Sequence, residues 1–186
     1  MIFKSVSHRL WFAILMGLGL ILACIPLFNL LAFEFCAVLA IGISFAGAHV
    51  SITCVQDLRA RPHALKGSFH QIVMAIFWRA FGVNLTFLIA PLAIILTNTL
   101  RVKNCDLSEG FAFFFLLPVA SCAYATGVGV FFGLCVKRRW KAYLAYLAYI
   151  FATLLALAHN LIFHPPVFGF HSTFGYFPGP IYDEHV

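Results

Sequence analysis

Charge is what this sequence has least of. Twelve Lys and Arg and six Asp and Glu make up 10% of its 186 residues, while 63% are hydrophobic. A soluble domain carries about a quarter charged residues, so a water-facing surface wrapped around a core of this size is excluded. Acidic and nucleophilic groups are too sparse to pair at matching depth, which argues against an intramembrane enzyme. Cys24, Cys36, Cys54, Cys105, Cys122 and Cys135 include no CxxC pair and no zinc-like spacing. Most lie in apolar runs, where a thiol behaves as a small hydrophobe, and all six read as free thiols.

Signature motifs are missing too. There is no P-loop, no dinucleotide fingerprint and no HExxH, and Gly127-Val128-Gly129 sits inside an apolar run and follows no strand. His159, His164, His171 and His185, with Asp106, Glu109, Asp183 and Glu184, are spaced like no compact metal motif. A b-type haem needs two facing histidines within the bilayer, and only His49 lies deep enough. No metal, no cofactor and no catalytic residue is expected. The net charge of +6 comes in short patches between apolar runs, a pattern of basic loops that orient spans rather than of a nucleic-acid surface.

What the chain has instead is long hydrophobic runs. At about 20 residues per span there is room for five or six helices and little else. Lys137-Arg138-Arg139-Trp140-Lys141 puts four cations between two such runs and marks a cytoplasmic turn. Threading from it predicts spans over 10–31, 35–55, 80–100, 111–136 and 142–163, with Pro91 and Pro118 as kinks. Residues 68–78 read as an amphipathic helix lying in the inner interface, a single long tilted helix being the alternative. Ten cations (Lys4, Arg9, Arg59, Arg61, Lys66, Arg79 and the four of the cluster) then fall inside, and two, Arg101 and Lys103, outside. The expectation is an all-α integral membrane fold of the bacterial inner membrane, N-terminus cytoplasmic and C-terminus extracytoplasmic.

Helices in lipid associate through small residues. Ser121, Ala125, Gly129 and Gly133 repeat every fourth residue in the fourth span; Ala40, Ser44 and Ala48 do so in the second, and Ala148, Ala152 and Ala156 in the fifth. These three stripes predict a closely packed centre. His49, Asn84, Thr86 and Tyr146 fall at similar depth in the second, third and fifth spans and are the candidate intramembrane polar cluster. They read either as satisfied interhelical hydrogen bonds or as a polar path opening inward.

Residues 164–186 carry four prolines, three glycines and six Phe and Tyr rings. That composition suits neither a long helix nor a solvated linker, and predicts an extended aromatic strap along the outer interface. Tyr176, Phe177, Tyr182, Asp183 and Glu184 are its candidate docking surface. The phrase Phe174-Gly-Tyr-Phe-Pro-Gly-Pro-Ile-Tyr-Asp-Glu184, with Asn104-Cys105-Asp106, Gly110 and Pro118, resembles stretches of the membrane-embedded regions of larger bacterial envelope proteins. The resemblance implies no activity, but it does imply a further domain beyond Val186. A multi-pass anchoring or assembly module with a protein partner or further domain outside is therefore expected. A transporter subunit with a path near His49 is the second reading. The absence of an obvious internal repeat weakens it.

Overall fold

Apolar runs of this length close into helices because hydrocarbon offers backbone groups no partner but one another. The computed structural model describes residues 6–60, 67–102, 107–163, 168–171, 173 and 175–178. In chain order it contains α1 (Val6–Cys24), α2 (Phe33–Arg59), α3 (Phe69–Asn98), α4 (Leu107–Phe114), a π-helical segment (Phe115–Val119), α5 (Ala120–Cys135), α6 (Arg139–Phe163), β1 (Phe168–His171) and β2 (Gly175–Pro178). Five stretches are long and apolar enough to cross a membrane: Ser7–Cys24, Phe33–Arg59, Phe69–Asn98, Leu107–Cys135 and Arg139–Phe163.

α2 is the centre, packed along α5 and also touching α1, α3 and α6. Phe35, Leu39, Ile43 and Val50 are fully enclosed with Leu15, Phe87 and Leu88 of the neighbouring helices. The close approach of α2 and α5 depends on Gly129. A β-carbon there would lie 2.8 Å from Ser51 Cβ and 2.9 Å from Ala48 Cα, so any side chain would push the two helices apart. Ser121, Ala125, Gly129 and Gly133 are all buried on this face, as are Ala40, Ser44 and Ala48 opposite.

The alanine stripe of α6 lies elsewhere. Ala148, Ala152 and Ala156 are exposed, and the face that packs is Ala142, Tyr146 and Ile150. The polar side chains explain the rotation. Tyr146 and Thr153 carry hydroxyls that need partners, and turning them inward turns the alanines out.

No break separates an interfacial helix over 68–78 from the third span. α3 runs unbroken through Trp78, Arg79 and Ala80, because nothing in that stretch disfavours a helix. Its start is set at Ser68, whose hydroxyl accepts from the Gln71 N–H while the Gln71 side chain accepts from the Ser68 N–H. Thirty residues reach about 45 Å, well beyond a hydrocarbon core of about 30 Å. Helical conformation persists through Pro91, which packs against Gly19 of α1.

Pro118 acts differently. Lacking an N–H and crowding the preceding turn, it sits within the π-helical segment that joins α4 to α5. After α6 the chain forms an antiparallel hairpin in which Phe168 pairs with Pro178, Gly169 with Phe177, Phe170 with Tyr176 and His171 with Gly175.

Candidate functional site

The candidate polar residues of the bundle fall in three separate places. At the basic end, His49 Nε2 is hydrogen-bonded to Ser7 Oγ, and its ring stacks on Tyr143 with centroids 5.4 Å apart and planes 9° from parallel. Trp11 flanks it at 6.0 Å. Nearby, Gln56 Nε2 donates to Val136 O at 2.8 Å, and Arg59 donates to Val136 O and Leu134 O. These bonds satisfy carbonyls that the end of α5 leaves without helical partners. Arg139 and Asp57 form an exposed ion pair, a geometry that contributes little to stability.

Where α2, α3 and α5 meet, Asn84 is fully buried. Its Nδ2 donates to Thr126 Oγ1 at 2.9 Å and to Gly47 O at 3.4 Å, and Thr126 donates in turn to Cys122 O at 2.7 Å. Asn84 Oδ1 is buried without a hydrogen-bond partner. Thr86 donates to Val83 O of its own helix.

The third place lies beneath the hairpin. Tyr146 donates to Ser44 O at 3.0 Å, and Ser44 Oγ shares its hydrogen between Ala40 O at 2.7 Å and Thr173 O at 2.9 Å. His171 Nε2 is 3.0 Å from Thr153 Oγ1 of α6, and Thr173 N–H donates to His171 Nδ1 at 3.2 Å. Gly175 has φ +85°, a left-handed conformation natural to glycine, and a β-carbon on it would meet Leu117 Cδ2 at 2.5 Å. The turn of the hairpin is thus held by α2, α6 and the π-helical segment at once. Ser44 lies eleven residues into α2 and Thr153 ten residues short of the end of α6, so the turn reaches about 15 Å down both helices.

His49, Asn84, Thr86 and Tyr146 therefore do not form one cluster; each has its own partner in a different place. Of the expected docking residues, Tyr176 and Phe177 lie in β2, while Tyr182, Asp183 and Glu184 fall outside the described residues. The strap expected along the outer interface is, at 168–178, a hairpin that dips into the bundle. The physical reason is polar: backbone groups and a histidine below the surface are tolerated where protein, not lipid, surrounds them. Sequence reasoning passed over Ser44, Thr153, His171 and Thr173 as parts of a seat. The available signal was two hydroxyls in apolar stretches of α2 and α6, each able to bond a carbonyl of its own helix and still meet a second group.

Burial lowers the pKa of His171 below its ordinary 6.5, because the ring is enclosed where a charge is poorly solvated. Among the described residues no three of His, Cys, Asp or Glu come together in a way that could hold a metal ion. Compared with protein-family models, curated proteins and solved structures, the chain matches none.

Proposed function

We propose that the chain is a multi-pass anchoring and assembly module of a bacterial inner membrane, and that its C-terminal hairpin is a mount. The observation that carries this reading is the seat of the hairpin: Thr173 O on Ser44, His171 on Thr153 and Gly175 against Leu117. A flexible tether has no use for three attachments to three elements. A mount does, because whatever follows Pro178 then leaves the bundle from a fixed place and direction. The partner is a protein, or a further domain of the same chain, on the extracytoplasmic side. The N-terminus and the basic cluster face the cytoplasm, in keeping with the ten-to-two distribution of cations.

A transport reading has one observation in its favour, the unpaired Asn84 Oδ1 at the junction of three helices. Against it, His49, Thr86 and Tyr146 are dispersed and individually bonded rather than aligned along a path.

Gly175→Leu in the full chain tests the mount. The substitution adds bulk where a β-carbon already meets Leu117, and should unseat the hairpin while leaving the helices inserted. The expected result is loss of the co-assembled species on native gels with an unchanged bundle melting temperature. Retention of the same assembly by the unseated variant would overturn the reading. Orientation is checked separately: cysteines placed at Ala60 and Leu100 should label from opposite faces of the membrane.

A further inference from the structure

His171 is 2% exposed, and both its ring nitrogens are engaged. Thr153 directs its own hydrogen at Tyr149 O and Ile150 O, 3.0 and 2.9 Å away, so the lone pairs of its hydroxyl are what His171 Nε2 meets. Nε2 therefore carries the proton and donates. Nδ1 carries the lone pair and accepts from the Thr173 N–H. The seated ring is the neutral Nε2–H tautomer, and its one remaining basic position is occupied by a backbone donor.

A second proton can only go on Nδ1, where it points at the Thr173 N–H. Two donors then face each other inside a site closed to water, and the bond that shapes the turn is lost. Thr173 is also the residue whose carbonyl reaches Ser44, while its own hydroxyl is buried without a partner.

We infer that the hairpin is a latch, seated while His171 is neutral and released from Ser44 and Thr153 when His171 takes up a proton. The inference rests on the mount reading and adds its regulation: acidification of the aqueous phase on the hairpin side frees what the mount holds.

Among the described residues, the elements against which the turn packs present the following side chains. α6 presents Thr153, with Tyr146 bonded to Ser44 O and Tyr149 bonded to Tyr124 of α5. His159, farther along α6, is exposed and lies against Phe163. α2 presents Ser44 and the π-helical segment Leu117, neither of which titrates. The sign follows from burial. Above the ordinary histidine value of 6.5 both seated and released forms are neutral, and pH has no effect. As pH falls through that value, the released form binds the proton first, and seating weakens until the lower, seated value is passed.

Hydrogen–deuterium exchange of the full chain in nanodiscs, corrected for the intrinsic rate, reads the latch through the amides of 168–178. One proton linked to opening raises the opening constant by up to about tenfold per pH unit below about 6.5. Wild type should thus lose hairpin protection between about pH 7.5 and about pH 5. His171→Asn should not. Its Oδ1 can accept the Thr173 N–H, as in an Asx turn, and cannot be protonated in this range. Should that variant not accumulate, His171→Gln serves, since it keeps a donor for Thr153. Unchanged protection of wild type across the range overturns the latch and leaves the mount standing. Parallel loss in wild type and variant assigns the titration to another group and also overturns it. A hairpin unprotected at both pH values removes the mount, and the latch with it.

Discussion

α5 and α6 each carry a stripe of small residues at four-residue spacing, and the fold uses one and turns the other outward. On α5 the stripe contains Gly129 and Gly133 and meets Ala48, Ser51 and Val55 of α2 at distances that leave no room for a β-carbon on Gly129 and only a tight fit, 3.0 Å from Val55 Cβ, for one on Gly133. On α6 the stripe is all alanine and is exposed, while Ala142, Tyr146 and Ile150 face the bundle. The burial of the helices differs accordingly. The most apolar window of α2, against which α5 packs, is 67% buried and that of α6 is 11%. Spacing alone therefore does not choose the packing face of a helix. Backbone approach through glycine chooses it on α5, and hydroxyls that need partners choose it on α6.

Substitutions on the two stripes would break or sharpen this contrast. The largest effect is expected at Gly129→Leu, which forces α2 and α5 apart and should destabilise the bundle by about 1–3 kcal/mol in detergent unfolding. A variant that unfolds like wild type would mean that α5 does not sit on α2 as described. Next is Tyr146→Phe, which removes the bond to Ser44 O without changing shape. Interhelical hydrogen bonds in membrane proteins average about 0.6 kcal/mol with a maximum of about 1.7, and a loss in that range is expected. A loss near zero would leave the orientation of α6 without its cause. Thr153→Val should loosen the hairpin more than the helices, seen as faster exchange at 168–171 with little change in melting temperature. The smallest effect belongs to Ala152→Leu, about 0.5 kcal/mol or less, since a larger side chain on an exposed face displaces nothing. Overpacking comparable to Gly129→Leu would show that the alanine stripe is in contact after all.

The five helices were legible because each depends on a single quantity, an apolar run of sufficient length, and small shifts of boundary do not alter it. Side-chain pairing was less so. His49 was visible as a titratable group in a span, but its partner Ser7 sits in the first turn of α1, where nothing distinguishes it from an ordinary helix-start serine. Asn84 and Tyr146 have similar depths, yet depth does not specify azimuth, and their bonds run to different neighbours. The hairpin seat was least legible of all. A tail rich in Phe, Pro and Gly reads as surface material, and its descent into the bundle depends on Ser44 and Thr153, more than a hundred and about twenty residues upstream respectively.

That separation also bears on how the molecule comes together. Ser44 and Thr173 are 129 residues apart, and contacts so distant form late, after the intervening helices have been threaded and gathered. Synthesis from the N-terminus delivers α2 first and the hairpin after α6, so the bundle must exist for a time with an open notch lined by Ser44, Tyr146 and Thr153. During that interval the Ser44 hydroxyl and the Thr153 hydroxyl have no hairpin to meet, and other segments or an assembly partner compete for the same groups. The hairpin is the closing step of maturation, and the unfilled notch marks a bundle that is inserted but not yet finished.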